Sequence, residues 1–143
     1  MRKLALLAVV EALLLTGCAY GQLDRLPPGP YGEAAEIVVL RADSAELGGR
    51  PFVVALDGRD VFALRPGAYT VLKVAAGSHS VAAYPTGSSD AAERKVGVTV
   101  TAAAKERVYL YIEPKSFWTP TVSIRQLTTK EGEVLERNSL FQN

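Results

Sequence analysis

Cysteine is nearly absent from this chain: Cys18 is the only one in 143 residues. That excludes an internal disulfide framework and a thiolate-rich metal site, so the fold must rest on its apolar core. Histidine is equally scarce. His79 stands alone, and any histidine-based metal centre or Ser-His-Asp relay would depend wholly on it. Charge of one sign is missing as well. Sixteen Lys and Arg face fifteen Asp and Glu, a formal net charge of +1. The densest local group, Glu93-Arg94-Lys95, is mixed in sign. A nucleic-acid surface needs clustered Lys and Arg, so no nucleic-acid partner is expected. A membrane-spanning run is also lacking. The apolar stretch Leu4–Val10 and Ala12–Leu15 is broken by Glu11 and falls short of the roughly 20 residues a bilayer helix requires.

That stretch has a different meaning. Arg2 and Lys3 precede it, and the small residues Thr16 and Gly17 follow it, giving the charged, apolar and cleavage parts of a secretory signal. Glu11 would cost about 2.5–3.5 kcal/mol at a bilayer centre, roughly what the run's Leu and Val residues return at about 0.3–0.6 kcal/mol each. The segment suits transient engagement rather than permanent insertion. Leu15-Thr16-Gly17-Cys18 resembles the lipobox of bacterial lipoproteins. The resemblance implies that Leu15, Thr16 and Gly17 are read as the signal, that residues 1–17 are removed, and that Cys18 becomes the first residue. Cys18 would then carry thioether-linked diacylglycerol and an amide-linked acyl chain such as palmitate. Two or more chains hold a protein stably on a bilayer. Ala19, where Asp would favour retention at the inner membrane, implies the outer membrane, with the domain facing the periplasm. Cleavage removes Arg2, Lys3 and Glu11, which leaves acidic and basic side chains equal in number.

Residues 18–35 read as a lipidated tether containing Pro27-Pro28-Gly29-Pro30, which is extended and barred from helices and central strands. Fully stretched at about 3.1 Å per residue, it would let the domain stand some 50 Å from the bilayer. Leu23, Leu26 and Tyr31 could instead pack it against the domain. Residues 36–143 then carry short apolar runs punctuated by turn residues, the pattern of an all-β, antiparallel sandwich of seven or eight strands. Strands are predicted at 36–42, 52–56, 60–64, 69–74, 80–84, 95–101, 107–113 and 121–126. Asp57-Gly58 suits a two-residue type I′ turn, which needs positive φ at both positions, and places Leu56 opposite Arg59 and Val54 opposite Val61. Val108, Leu110 and Ile112 oppose Tyr109 and Tyr111 across one strand. The 52–64 hairpin is apolar on both faces, so something must cover its outer side. The C-terminal stretch is the candidate, because Thr128-x-x-Glu131 resembles a capping box ahead of a short helix, which Gly132 weakens.

The order Ile37-Val38-Val39-Leu40-Arg41, Val54-Ala55-Leu56-Asp57-Gly58, Leu64-Arg65-Pro66-Gly67-Ala68-Tyr69 and Ala76-Gly77-Ser78-His79-Ser80-Val81 resembles small bacterial lipoproteins of a domain-of-unknown-function family. Those proteins have a PEGA-like, transthyretin-like β-sandwich. The likeness spans about residues 36–113, with Ala76 where the family commonly has Pro. It implies fold and address, and brings no catalytic residues or cofactors.

Chemistry is sparse elsewhere too. His79 sits where a turn enters a strand and reads as a histidine bonded to a turn carbonyl. Asp57 and Asp60 lack the spaced ligands of a calcium loop, and Gly48-Gly49 precedes no helix that could cradle phosphate. No metal and no cofactor are expected. Tyr109, Tyr111, Phe117 and Trp118 are the candidate contact surface, since exposed aromatics supply area and hydrogen bonds at interfaces; packing within the sandwich is the other reading. The expectation is a lipid-anchored, non-catalytic binding or assembly module of the cell envelope, meeting the membrane through Cys18 and holding an envelope-protein or cell-wall partner. The alternatives are a sandwich that binds a small ligand or glycan and, further off, a cell-wall hydrolase.

Overall fold

Apolar–polar alternation carries through into strands. A computed structural model of the chain describes residues 21–23, 33–44, 49–87, 95–115 and 121–143. All eight expected strands are present: β2 (Ala35–Arg41), β3 (Phe52–Leu56), β4 (Arg59–Leu64), β5 (Ala68–Val74), β6 (Gly77–Pro85), β7 (Val96–Ala102), β8 (Arg107–Pro114) and β9 (Val122–Leu127). Two short pieces, β1 (Gly21–Gln22) and β10 (Leu140–Phe141), and one helix among the described residues, α1 (Thr129–Arg137), complete the set. The strands form two five-stranded sheets, ordered β1-β4-β3-β6-β7 and β10-β5-β2-β8-β9. Ile37, Val39, Leu72, Leu110 and Ile112 of the second sheet share one core with Phe52, Val54, Leu64, Val81 and Val100 of the first. Each such side chain contributes about 1.5–3 kcal/mol by leaving water, and the result is a β-sandwich.

The pairing corrects the expected all-antiparallel arrangement. β2 runs parallel to β8, with Val39 opposite Leu110, and β10 runs parallel to β5. Between β2 and β8 the chain crosses from one sheet to the other and back, so these two neighbours are distant in sequence. Local alternation therefore says nothing about their direction.

A second correction concerns register. Asp57 (φ 48°) and Gly58 (φ 85°) make the expected turn, and Leu56 does face Arg59. A bulge between Val54 and Ala55 then places Val54 opposite Phe62 rather than Val61. The extra residue lets Val61 and Phe62 both reach the core.

The helix forms where the capping box predicts. The Glu131 N–H donates to Thr128 Oγ1 at 3.4 Å, and the Thr128 N–H donates to Glu131 Oε2 at 3.0 Å. It does not cover the 52–64 hairpin. Instead α1 crosses the outer face of the second sheet, over Val38, Leu40, Tyr109 and Leu127. The run Ile37-Val38-Val39-Leu40 is buried on both sides for this reason. Gly132 sits directly against Tyr109, where a Cβ would overlap the ring. The hairpin's outer face is solved by small residues: Ala55, Ala63 and Ala82 are buried there. Tyr84 of β6 reaches across β3 to donate to Asp60 Oδ2 of β4 at 2.5 Å.

Three residues from the first part of the expected tether are described. Gly21–Gln22 pairs with Ala63 and Phe62 at the edge of the first sheet, and the Leu23 N–H donates to Val61 O at 2.9 Å. These residues belong to the domain and not to a free spacer. The Leu23 side chain is 43% exposed, and Leu26 and Tyr31 lie outside the described residues.

The connections divide between two ends. One end has the tight links Asp57-Gly58, Ala75-Ala76 and 103–106; the other carries the longer links 42–51, 86–95 and 115–121 together with the short link 65–67.

Candidate functional site

Of the residues singled out in the sequence, Leu15, Thr16, Gly17, Cys18, Phe117 and Trp118 lie outside the described residues. Tyr109 does not belong to a contact surface. It shares a face with Tyr111, as alternation predicts, but that face lies under α1. Tyr109 is only 2% exposed, and its hydroxyl donates to Glu136 Oε2 at 3.1 Å. Tyr111 is half-buried, with the Arg125 guanidinium 5.3 Å from its ring centroid.

At the tight end, Arg107 and His79 each have a carboxylate partner. Arg107 at the start of β8 donates from Nε to Glu36 Oε2 at 2.7 Å. Its two terminal nitrogens grip both oxygens of Glu136, each at 3.0 Å. Desolvation would lower the Arg107 pKa, but Glu36 and Glu136 outweigh it and the net shift is upward. This bidentate fork ties α1 to the sheet beneath it. His79 makes a second clasp. Its Nδ1 is 2.8 Å from Asp57 Oδ2 and its Nε2 is 2.8 Å from the Ala75 carbonyl, the turn-carbonyl bond expected from the sequence. The Ser80 N–H donates to Asp57 Oδ1 at 2.9 Å.

Two acceptors on one imidazole call for the doubly protonated ring. Partial desolvation opposes this, but the bonds to Asp57 and Ala75 and the charge of Asp57 prevail, and the His79 pKa is raised. For Asp57, burial pushes upward, while the bonds from His79 and Ser80 prevail and hold its pKa low. With both ring nitrogens occupied, neither is aimed at a nucleophile or substrate. Among the described residues, no three of His, Cys, Asp and Glu converge to hold a metal.

The loop-bearing end is different. Arg41 follows Ile37 and Val39 on the inner face of β2 and is 1% exposed. Its Nη1 donates to the Leu64 carbonyl at 2.7 Å, and the guanidinium lies 3.7 Å from the Phe52 ring centroid. Among the described residues, Nε and Nη2 have no acceptor, and the buried Ser44 hydroxyl three residues on has no partner. Desolvation lowers the Arg41 pKa to about 10. Nε and Nη2 form the side-on fork with which Arg grips a carboxylate or phosphate in two parallel bonds. The sequence marks this residue through parity alone: alternation from Ile37 and Val39 puts Arg41 inside. At the same end a cleft of about 410 Å³ is lined by Arg41, Asp43, Gly67, Tyr111, Leu135 and Ser139, among others.

The third feature is a lateral edge. Gln142 is 5% exposed and joins the two sheets. Its N–H donates to Tyr69 O of β5 at 2.9 Å, its Nε2 donates to Ala63 O of β4 at 3.0 Å, and its Oε1 accepts from the Arg65 N–H at 3.1 Å. Just before it, Leu140 is 75% and Phe141 55% exposed, with the Phe141 ring 5.2 Å from that of Tyr69. Strands this short have no readable periodicity, so β1 and β10 leave no sign in a local reading of the residues. No described helix is long and apolar enough to cross a membrane. Comparisons of the chain with protein-family models, with curated proteins and with solved structures found no match.

Proposed function

We propose that this protein is a lipid-anchored module of the bacterial cell envelope that binds or organises a partner and carries out no catalysis. The observation that carries the reading is Leu15-Thr16-Gly17-Cys18, placed at the end of a charged-then-apolar signal. Several features support it. The first described strand begins at Gly21, three residues after Cys18. The titratable clusters of the tight end are spent on holding elements together: Arg107 on α1, His79 on a turn. The tight end thus has the character of a scaffold, and the loop-bearing end that of the surface offered to a partner.

The test is chemical. Mature protein from membranes should have the mass of a chain starting at Cys18 plus diacylglycerol and an acyl chain, and Cys18→Ala should release it from the membrane fraction. A Cys18→Ala protein that stays with membranes removes the anchor from the reading.

A second reading, binding of a small anionic ligand at the loop-bearing end, is favoured by the free fork of Arg41. Under this reading inorganic phosphate or acetate raises the melting temperature of the wild type and has no such effect on Arg41→Met. Equal shifts in both proteins discard it.

A further inference from the structure

We infer that the β1/β10 edge is a membrane-docking surface, and that the domain lies on its side against the phospholipid bilayer holding its anchor. The inference rests on lipidation of Cys18 and adds an orientation to that reading.

The first argument is length. Three peptide units separate Cys18 from Gly21, so their Cα atoms are at most about 11 Å apart. Gly21 is fixed in β1 by its pairing with Ala63. The opposite edge of the same sheet, β7, lies four strand spacings away, about 19 Å at roughly 4.8 Å each. A leash this short holds one particular side of the domain against the headgroups. The free spacer of some 50 Å would have allowed any side.

The second argument is chemical. Four large hydrophobic residues are exposed among the described residues: Leu23, Val134, Leu140 and Phe141. Three of them sit on the edge the leash selects. Leu23 follows β1 directly. Leu140 and Phe141 form β10, and the chain continues through Gln142 to Asn143, whose carbonyl oxygen is 3.4 Å from where a Gly21 Cβ would stand. The Gln142 bonds to both sheets hold these side chains in place. The membrane edge is thus rigid and presents leucines and an aromatic ring, groups suited to the headgroup–acyl boundary. A second protein docking there would have to displace the bilayer that the anchor brings to the same spot.

Lipidated protein carrying a single nitrobenzoxadiazole label at Leu140→Cys, Phe141→Cys or Thr99→Cys can be placed in phosphatidylethanolamine–phosphatidylglycerol vesicles containing spin-labelled lipid. Cys18 is the only native cysteine and is blocked as a thioether, so labelling is specific. Positions 140 and 141 should show blue-shifted emission and strong quenching by the lipid spins. Position 99, exposed on β7, should show neither. Intact mass separates the two ways of failing. A chain without diacylglycerol on Cys18 overturns the anchor reading and the docking with it. A lipidated chain with no quenching at 140 and 141, or with equal quenching at 99, overturns the docking alone.

Discussion

The two ends of the sandwich handle charge in opposite ways. At the tight end, Arg107 has two carboxylate partners and His79 has a carboxylate and a carbonyl. At the loop-bearing end, Arg41 is more deeply buried than either and has one carbonyl and the face of a phenylalanine. A buried cation costs several kcal/mol to desolvate. One charged hydrogen bond returns about 1.5–3 kcal/mol and a desolvated cation–π contact about 2 kcal/mol, so Arg41 stands near break-even. The paired end spends its charges on stability, while the other end keeps a donor pair in reserve. The longer connections join strands at the end with the reserve.

The sharpest way to break this contrast is to unseat the helix on which the paired end depends. Gly132→Ala in an exposed helix would gain about 1 kcal/mol from propensity. Here the added Cβ collides with Tyr109 and should instead cost about 3 kcal/mol, as overpacking does, measured by urea denaturation. A gain would mean that α1 is not held on the sheet. Arg107→Met comes next. It leaves Glu36 and Glu136 without their cation and should lose about 2 kcal/mol, moderated by the partial exposure of the pair. Arg41→Met should run the other way, neutral or stabilising by about 1 kcal/mol, because an apolar side chain of similar volume removes the uncompensated burial. If both Arg substitutions destabilise equally, the two ends do not differ.

The smallest effect belongs to His79. Its pKa is raised, so its contribution is full below the ordinary histidine value of 6.5 and fades as pH rises through the folded value. Asp57 is held low, so its share is present above 3.8 and is lost only as pH falls through its depressed value. The clasp is therefore strongest between those two limits. His79→Gln should cost about 1 kcal/mol at pH 5, given that Asp57 is half exposed and screened, and much less at pH 9. Melting curves at the two pH values read the difference.

Much of this architecture is written locally. Alternation places the eight main strands, Asp57-Gly58 makes its turn, and Thr128 with Glu131 starts the helix, because each depends on a few adjacent residues. What escapes a local reading is set by distant contacts. Gly132 looks like a weakness in α1 until Tyr109, from another strand, is found beneath it. The bulge at Val54 and Ala55 follows from the need to bring Val61 and Phe62 into one core, which no two-residue turn reveals. Tyr109 and Tyr111 share a face as predicted, yet whether that face is wet or covered depends on where the helix lands. Parity with Ile37 and Val39 is the one local sign that Arg41 points inward, and its want of a carboxylate depends on which strands come to surround it.

The paired ladder at β4 has a further consequence. An exposed strand edge is a template on which a second molecule can add its own strand. In the first sheet, the bulge kinks β4 and the two residues of β1 occupy part of its outer side; in the second, the two residues of β10 do the same for β5. Both caps are too short to serve as templates themselves. On this side of the sandwich little ladder is left for a neighbouring copy to extend, so an added strand would have to pair with β7 or β9, the outermost strands at the other side.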